Sequence, residues 1–145
     1  DASASIKNPQ HLTAACACIA NSRIFVRRQI INTIKTSYKN PYGELKAVYF
    51  ALSIFNGLIS RHHHNVIIYT DLREINDVLN GKRCFKDKPL MDLQDNLLTH
   101  YQSKIQRHTN LNISIKHLNK EQKKFNPFHN AAHNAALKLL REIRK

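Results

Sequence analysis

The chain has 145 residues, of which 23 are Lys or Arg and 10 are Asp or Glu, giving a formal net charge of +13. Apolar residues make up 42% of it and there are only 3 Gly and 4 Pro, a composition that supports a buried core and excludes a disordered or collagen-like polymer. No run approaches the roughly 18 apolar residues that cross a bilayer, and the start lacks the charged-then-apolar pattern of a secretory signal.

These bounds point to one α/β domain over residues 1–145 in a reducing, cytoplasmic setting with no membrane partner. Cys16 and Cys18 stand two apart in a strand-like run and point the same way, and Cys84 is isolated, so no disulfide framework or zinc ribbon is read. The positive excess favours a polyanion such as nucleic acid as partner. The chain opens with Asp1 rather than Met, which leads us to expect a piece of a longer polypeptide.

In chain order, residues 12–20 and 23–34 flank the turn-prone pair Asn21-Ser22 and predict an antiparallel hairpin. Pro41 suits the first turn of a helix that carries Ala47, Val48, Ala51, Leu52, Phe55 and Ile59 at helical spacing. Val66 to Thr70 is a short unbroken apolar run, expected as a strand covered on both faces. Leu72 to Leu79 predicts a short helix stopped near Gly81, followed by a basic loop from Lys82 to Lys88. A long helix from Pro89 to about His108, a strand over Leu111–His117 and a helix from about Pro127 complete the order. Such mixing predicts a central mixed sheet with a parallel pairing between 66–70 and 111–117.

Two carboxylates stand where local pattern does not put solvent-facing charge. Glu44 shares the stripe of Ala47, Val48 and Ala51, so its side chain points at the sheet, although helix capping would also account for it. Asp71 ends the apolar strand at its carboxyl edge, where sites collect in open sheets, although turn formation would suffice. Elsewhere, His129 and His133 have the spacing of a zinc-protease helix but carry Asn130 in place of the activating Glu. His62-His63-His64 reads as a solvated loop.

Together with Asp1-Ala2-Ser3, the segments Gly43-Glu44-Leu45 and Thr70-Asp71 resemble the core motifs of the ribonuclease H family. Those are a D-G/A-S ending the first strand, a Glu in the first long helix and a T-D ending a central strand. Ile115-Lys116-His117-Leu118-Asn119-Lys120-Glu121 is similar to the family's late H-V-x-R-E segment. In the final helix the fourth carboxylate position falls on His133, with Asn134 as the alternative.

The resemblance implies a mixed five-stranded sheet with helices on both faces, and upstream residues completing the first strand. It implies hydrolysis of the RNA strand of RNA/DNA hybrids with two divalent ions, Mg²⁺ or Mn²⁺, held by Asp1, Glu44, Asp71 and His133. Asp1 would bridge both ions, and His133 would favour Mn²⁺. Asn40, four residues before Glu44, would meet the hybrid's minor groove and Ser3 would lie on the substrate side. Arg27, Arg28, Lys82 and Arg83 would track phosphates. The alternatives are a weakly catalytic nucleic-acid-binding module of a larger protein, or a DNA nuclease of the same fold. The expected state is a monomer or a domain within a longer polypeptide.

Overall fold

Two antiparallel pairings and one parallel pairing organise the chain, in a computed structural model that describes residues 1–4, 11–20, 23–32, 38–59 and 62–143. The expected hairpin is present: strand β2 (His11–Ala20) pairs antiparallel with β3 (Arg23–Asn32), Leu12 opposite Ile31 and Cys16 opposite Arg27. Its turn at residues 21–22 and the end of the expected second strand at 33–34 lie outside the described residues. On the other side of β2 runs β1 (Ala2–Ala4), with Ala2 opposite Ala14.

Small residues let β2 be covered closely on both faces. Leu12 and Ala14 belong to the core shared with helix α1 (Lys39–Ile54), where Tyr42, Leu45, Val48 and Leu52 are almost fully buried. Each such side chain contributes roughly 1.5–3 kcal/mol relative to exposure. Alternation turns Thr13 and Ala15 to the opposite face, where helix α5 (Pro127–Glu142) lies. The Thr13 hydroxyl donates to the Ala136 carbonyl at 2.8 Å, so a buried polar group is satisfied across that contact. The deepest stripe of α5 is Ala132, Ala136 and Leu140. One turn per step along this stripe keeps the helix close to the small residues of β2.

Strand β4 (Asn65–Thr70) pairs parallel with β5 (Asn112–His117), Val66 opposite Ile113 and Thr70 opposite His117, as the sequence predicts. The crossover contains α2 (Ile75–Leu79) and α3 (Lys88–Arg107). The first of these starts later than expected because the Leu72 amide is taken by the Thr70 hydroxyl at 3.2 Å, forming a turn. Gly81, at φ 74°, ends it in the left-handed region that glycine favours. A five-residue helix not expected from the sequence, α4 (Lys120–Lys124), follows β5 under a reciprocal Asn119–Gln122 capping box.

Two expectations are corrected. Among the described residues the strands form a three-stranded sheet, β1–β2–β3, and a two-stranded sheet, β4–β5, rather than one five-stranded sheet. Nor is β4 covered on both faces: Ile67 and Tyr69 are 45% and 51% exposed. The reason is common to both. A cavity of about 470 Å³ lies between the sheets, lined among others by Ala17 of β2, Val48 and Ala51 of α1, Ile67 and Tyr69 of β4, and Phe128 of α5. No helix among the described residues is long and apolar enough to cross a membrane, and among the described residues neither Cys16 nor Cys84 is in a disulfide.

At Gly43 a side chain has no room, since an added Cβ would lie 2.8 Å from the Ala2 Cβ and 3.1 Å from Leu12 Cδ1. Gly43→Ala is expected to push β1 off α1 and cost about 1–3 kcal/mol, with roughly 2–4 °C of Tm lost per kcal/mol. Gly57→Ala, which meets nothing within 4 Å, is the control in the same thermal melts. A Gly43→Ala protein as stable as Gly57→Ala would refute this packing account.

Candidate active site

Each of the three carboxylates is positioned by a different element. Asp1 enters the β2 ladder through its main chain: its nitrogen donates to the Ala15 carbonyl at 3.1 Å, and the Ala15 amide donates to the Asp1 carbonyl at 3.0 Å. Glu44 projects from the first part of α1 and its Oε1 accepts from the Ala2 amide at 3.1 Å. Asp71 follows the carboxyl end of β4, where the Leu118 amide donates to the Thr70 carbonyl at 2.7 Å and ties the ends of β4 and β5 together. The outcome is a cluster in which one oxygen from each of Asp1, Glu44 and Asp71 lies within 4.8 Å of the others.

Two basic side chains border the cluster. His133 Nδ1 is 2.6 Å from Asp1 Oδ2, a distance that places a proton between them, and the Asp1 side chain is only 7% exposed. Lys123 Nζ donates to Asp71 Oδ2 at 3.0 Å in a partly buried pair. His129 lies one turn before His133, the ring centroids 6.4 Å apart, and its burial, then the positive terminus, hold its pKa below the usual value.

Crowding separates the carboxyls in acidity. Burial pushes Glu44 up to about 7; the ammonium of Asp1 opposes this and the Asp71 charge adds to it. For Asp71, burial works upward, but hydrogen bonding with Glu44 and with Lys123, and the charge of Lys123, hold it below the usual carboxylate range. Glu44 is thus the weaker acid of the two and Asp71 the stronger. Glu44 Oε2 is buried with no donor aimed at it among the described residues. Hard oxygen atoms that converge, one of them unsatisfied, are a donor set that fits a divalent cation such as Mg²⁺ or Mn²⁺.

Of the residues expected from the sequence, Asp1, Glu44, Asp71 and His133 come together. Asn134 is exposed and, among the described residues, has no hydrogen bond to the cluster. Asn40 is exposed one turn before Glu44. Arg27 lies over the Phe25 ring, and Arg28 pairs with Glu142 at 3.1 Å. Lys82 pairs with Asp77 at 3.0 Å and Arg83 is exposed. The Ser3 side chain lies outside what is described. Sequence reasoning missed Lys123, which nothing in its local pattern separates from Lys120 and Lys124. It saw His129 only as part of a zinc motif.

Scanned against known protein families, the sequence matches none, and no curated protein matches it. Among solved structures, the crystal structure of RNase H1 from the halophilic archaeon Halobacterium salinarum NRC-1 is similar. The match has a TM-score of 0.51 at 16% identity and covers 95% of this chain and 93% of that one. The chain has a ribonuclease H-like fold. The likeness spans nearly the whole of both molecules, so the acidic cluster lies within a ribonuclease H-like framework of helices and sheets.

Glu44 gives this site a signature in the pH dependence of stability. Its folded pKa of about 7 lies above the ordinary 4.5, so the folded state binds the proton more tightly. The stabilisation is fully present below pH 4.5 and is lost as pH rises toward and through 7. Melting curves from pH 4 to 8.5 in a chelator should show Glu44→Gln gaining on the parent across this window, by on the order of 3 kcal/mol at its upper end. Parallel profiles for the two proteins would contradict the assigned burial of Glu44.

Proposed function

We propose that the chain is a divalent-metal-dependent endoribonuclease that cuts the RNA strand of RNA/DNA hybrids, with Asp1, Glu44 and Asp71 holding the metal. The convergence of these three carboxyls, with a buried Glu44 oxygen lacking a donor, supports it most directly. The ribonuclease H-like fold is consistent with it, the similar archaeal structure being an RNase H1. Two ions, Mg²⁺ or Mn²⁺, would supply positive charge at the scissile phosphate and lower the pKa of the attacking water when bound with substrate.

The chain's own residues divide the work. The main-chain pairing with Ala15 fixes Asp1, and His133 orients its carboxylate through Oδ2. Glu44, its Oε1 held by the Ala2 amide, yields its proton near neutrality and has Oε2 left to offer. Exposed Asn40 suits contact with the minor groove, and recognition by 2′-hydroxyls and phosphates carries little base-sequence preference. The Arg28–Glu142 and Lys82–Asp77 pairs are exposed, so their bases exchange those partners for phosphates at little cost. Arg27, Arg83 and Ser3 are assigned to the same substrate surface.

One observation favours a second reading, a nucleic-acid-binding module with weak or no catalysis. Lys123 already occupies Asp71 and competes there with a metal. Hybrids labelled on either strand, with duplex DNA and duplex RNA alongside, distinguish the readings in Mg²⁺ and in Mn²⁺. The expected result is cleavage confined to the RNA of the hybrid, greater in Mn²⁺, and loss of turnover with retained binding in Asp71→Asn. Tight binding without cutting would favour the module, cutting of duplex DNA a DNA nuclease, and normal turnover by Asp71→Asn would overturn the site.

We infer further that the five-stranded sheet is completed by an extended apolar strand lying in the cavity between β2 and β4 and leading into Asp1. The cavity has apolar walls from α1 and α5, and exposed Ile67 and Tyr69 border it. Such a strand continues the Asp1–Ala15 pairing along β2 and supplies β4 with a second neighbour. Extending the chain before Asp1 by about five alternating Val and Ile residues should raise Tm clearly, whereas an equally long Gly-Ser extension should not. Equal melting temperatures for the two would sink this inference.

A further inference from the structure

We propose that Lys123 is the built-in counter-ion of the acidic cluster. Its ammonium neutralises Asp71 while no divalent ion is held, leaves Asp71 when an ion arrives, and then takes a phosphate oxygen of the nucleic acid. The inference rests on the metal-holding role given above to Asp1, Glu44 and Asp71.

The contact is built by the backbone rather than left to a wandering side chain. Asn119 accepts from the Gln122 amide at 2.9 Å and its own amide donates to the Gln122 side chain at 2.9 Å, which fixes the start of α4. The residue before that cap, Leu118, donates its amide to the Thr70 carbonyl, next to Asp71. Lys123 therefore begins from a point anchored to the strand end that presents Asp71. The neighbouring lysines are placed differently: Lys124 lies 5.4 Å from the Phe125 ring centroid and Lys120 is exposed.

Charge arithmetic then sets the exchange. Three crowded carboxyls need positive charge to stay ionised together, and Lys123 supplies it to Asp71 at 3.0 Å. A divalent ion on the same carboxylate brings twice the charge to the same place and repels the ammonium. With its side chain 31% exposed, Lys123 has solvent into which to swing. A phosphate oxygen beside the metal is the nearest new acceptor that a polyanionic substrate would bring. Its engagement compensates the lysine for the lost partner.

The test uses the full chain and the variants Lys123→Met, Lys123→Arg and Lys124→Met. Mn²⁺ alone is titrated calorimetrically, and binding of a hybrid whose RNA strand is 2′-O-methylated, hence resistant to cleavage, is measured in Mn²⁺ over a range of salt. Lys123→Met should bind Mn²⁺ at least about threefold more tightly. It should also bind the hybrid more weakly, its log–log salt slope reduced by about 0.9. Lys123→Arg should keep the parent's values, and Lys124→Met should leave Mn²⁺ affinity unchanged.

Unchanged or weaker Mn²⁺ binding by Lys123→Met would overturn the counter-ion role, because loss of a merely structural lysine does not improve a metal site. An unchanged salt slope would overturn the phosphate contact. If Lys123→Met fails to fold by circular dichroism, Lys123→Gln takes its place under the same criteria. The outcomes remain separable from those of the nuclease proposal: tighter Mn²⁺ binding with no hybrid cleavage by the parent would sink that proposal and leave the counter-ion standing.

Discussion

The hydrogen bond from the Ala2 amide to Glu44 Oε1 joins the two halves of the site. It fastens a strand of three residues to the helix that packs beneath it, and it uses one carboxyl oxygen to do so, leaving the other buried without a donor. Gly43 makes this approach possible, since any larger residue there would meet Ala2 before Glu44 could reach its amide. Asp1 immediately precedes that strand. Its place beside Glu44 is therefore set by backbone pairing to Ala15 and by side-chain capture of the adjacent amide, two constraints acting on one short segment.

Much of the fold was legible because it depends on local pattern. The spacing of Ala47, Val48, Ala51 and Leu52 marks α1, and the parallel pairing of β4 with β5 follows from two apolar runs separated by helices. What was not legible depends on neighbours distant in sequence. The run Val66 to Thr70 carries no mark to say whether a strand lies on its far side, so Ile67 and Tyr69 read as buried although they border a cavity. The short helix α4 did leave a signal, since Asn119 and Gln122 have capping-box spacing, but only together with the preceding strand end does it place Lys123.

Helical phase explains which final-helix residue reaches the cluster. Ala132 and Ala136 are buried, and His133 is next in sequence to Ala132, at the side where the helix passes Asp1. Asn134, rotated a further 100° or so, is carried to solvent. A sequence read alone leaves both open, because the offset depends on how α5 sits over the small residues of β2. The Thr13–Ala136 hydrogen bond helps to fix that seating, so a buried hydroxyl on a strand takes part in placing an imidazole on a helix.

Charge acts here on two length scales. The net +13 attracts a polyanion but opposes the approach of a divalent cation. At physiological salt, charges more than about 8 Å apart across solvent are largely screened, so a basic side chain farther than that from the acidic cluster has little effect on it. Lys123, at 3.0 Å from Asp71, is inside that distance, and His133 touches Asp1. A basic protein can thus keep an acidic centre by concentrating three of its few carboxyls within one screening length. The acidity of that centre is then governed by its own burial and by these immediate neighbours, not by the charge of the whole.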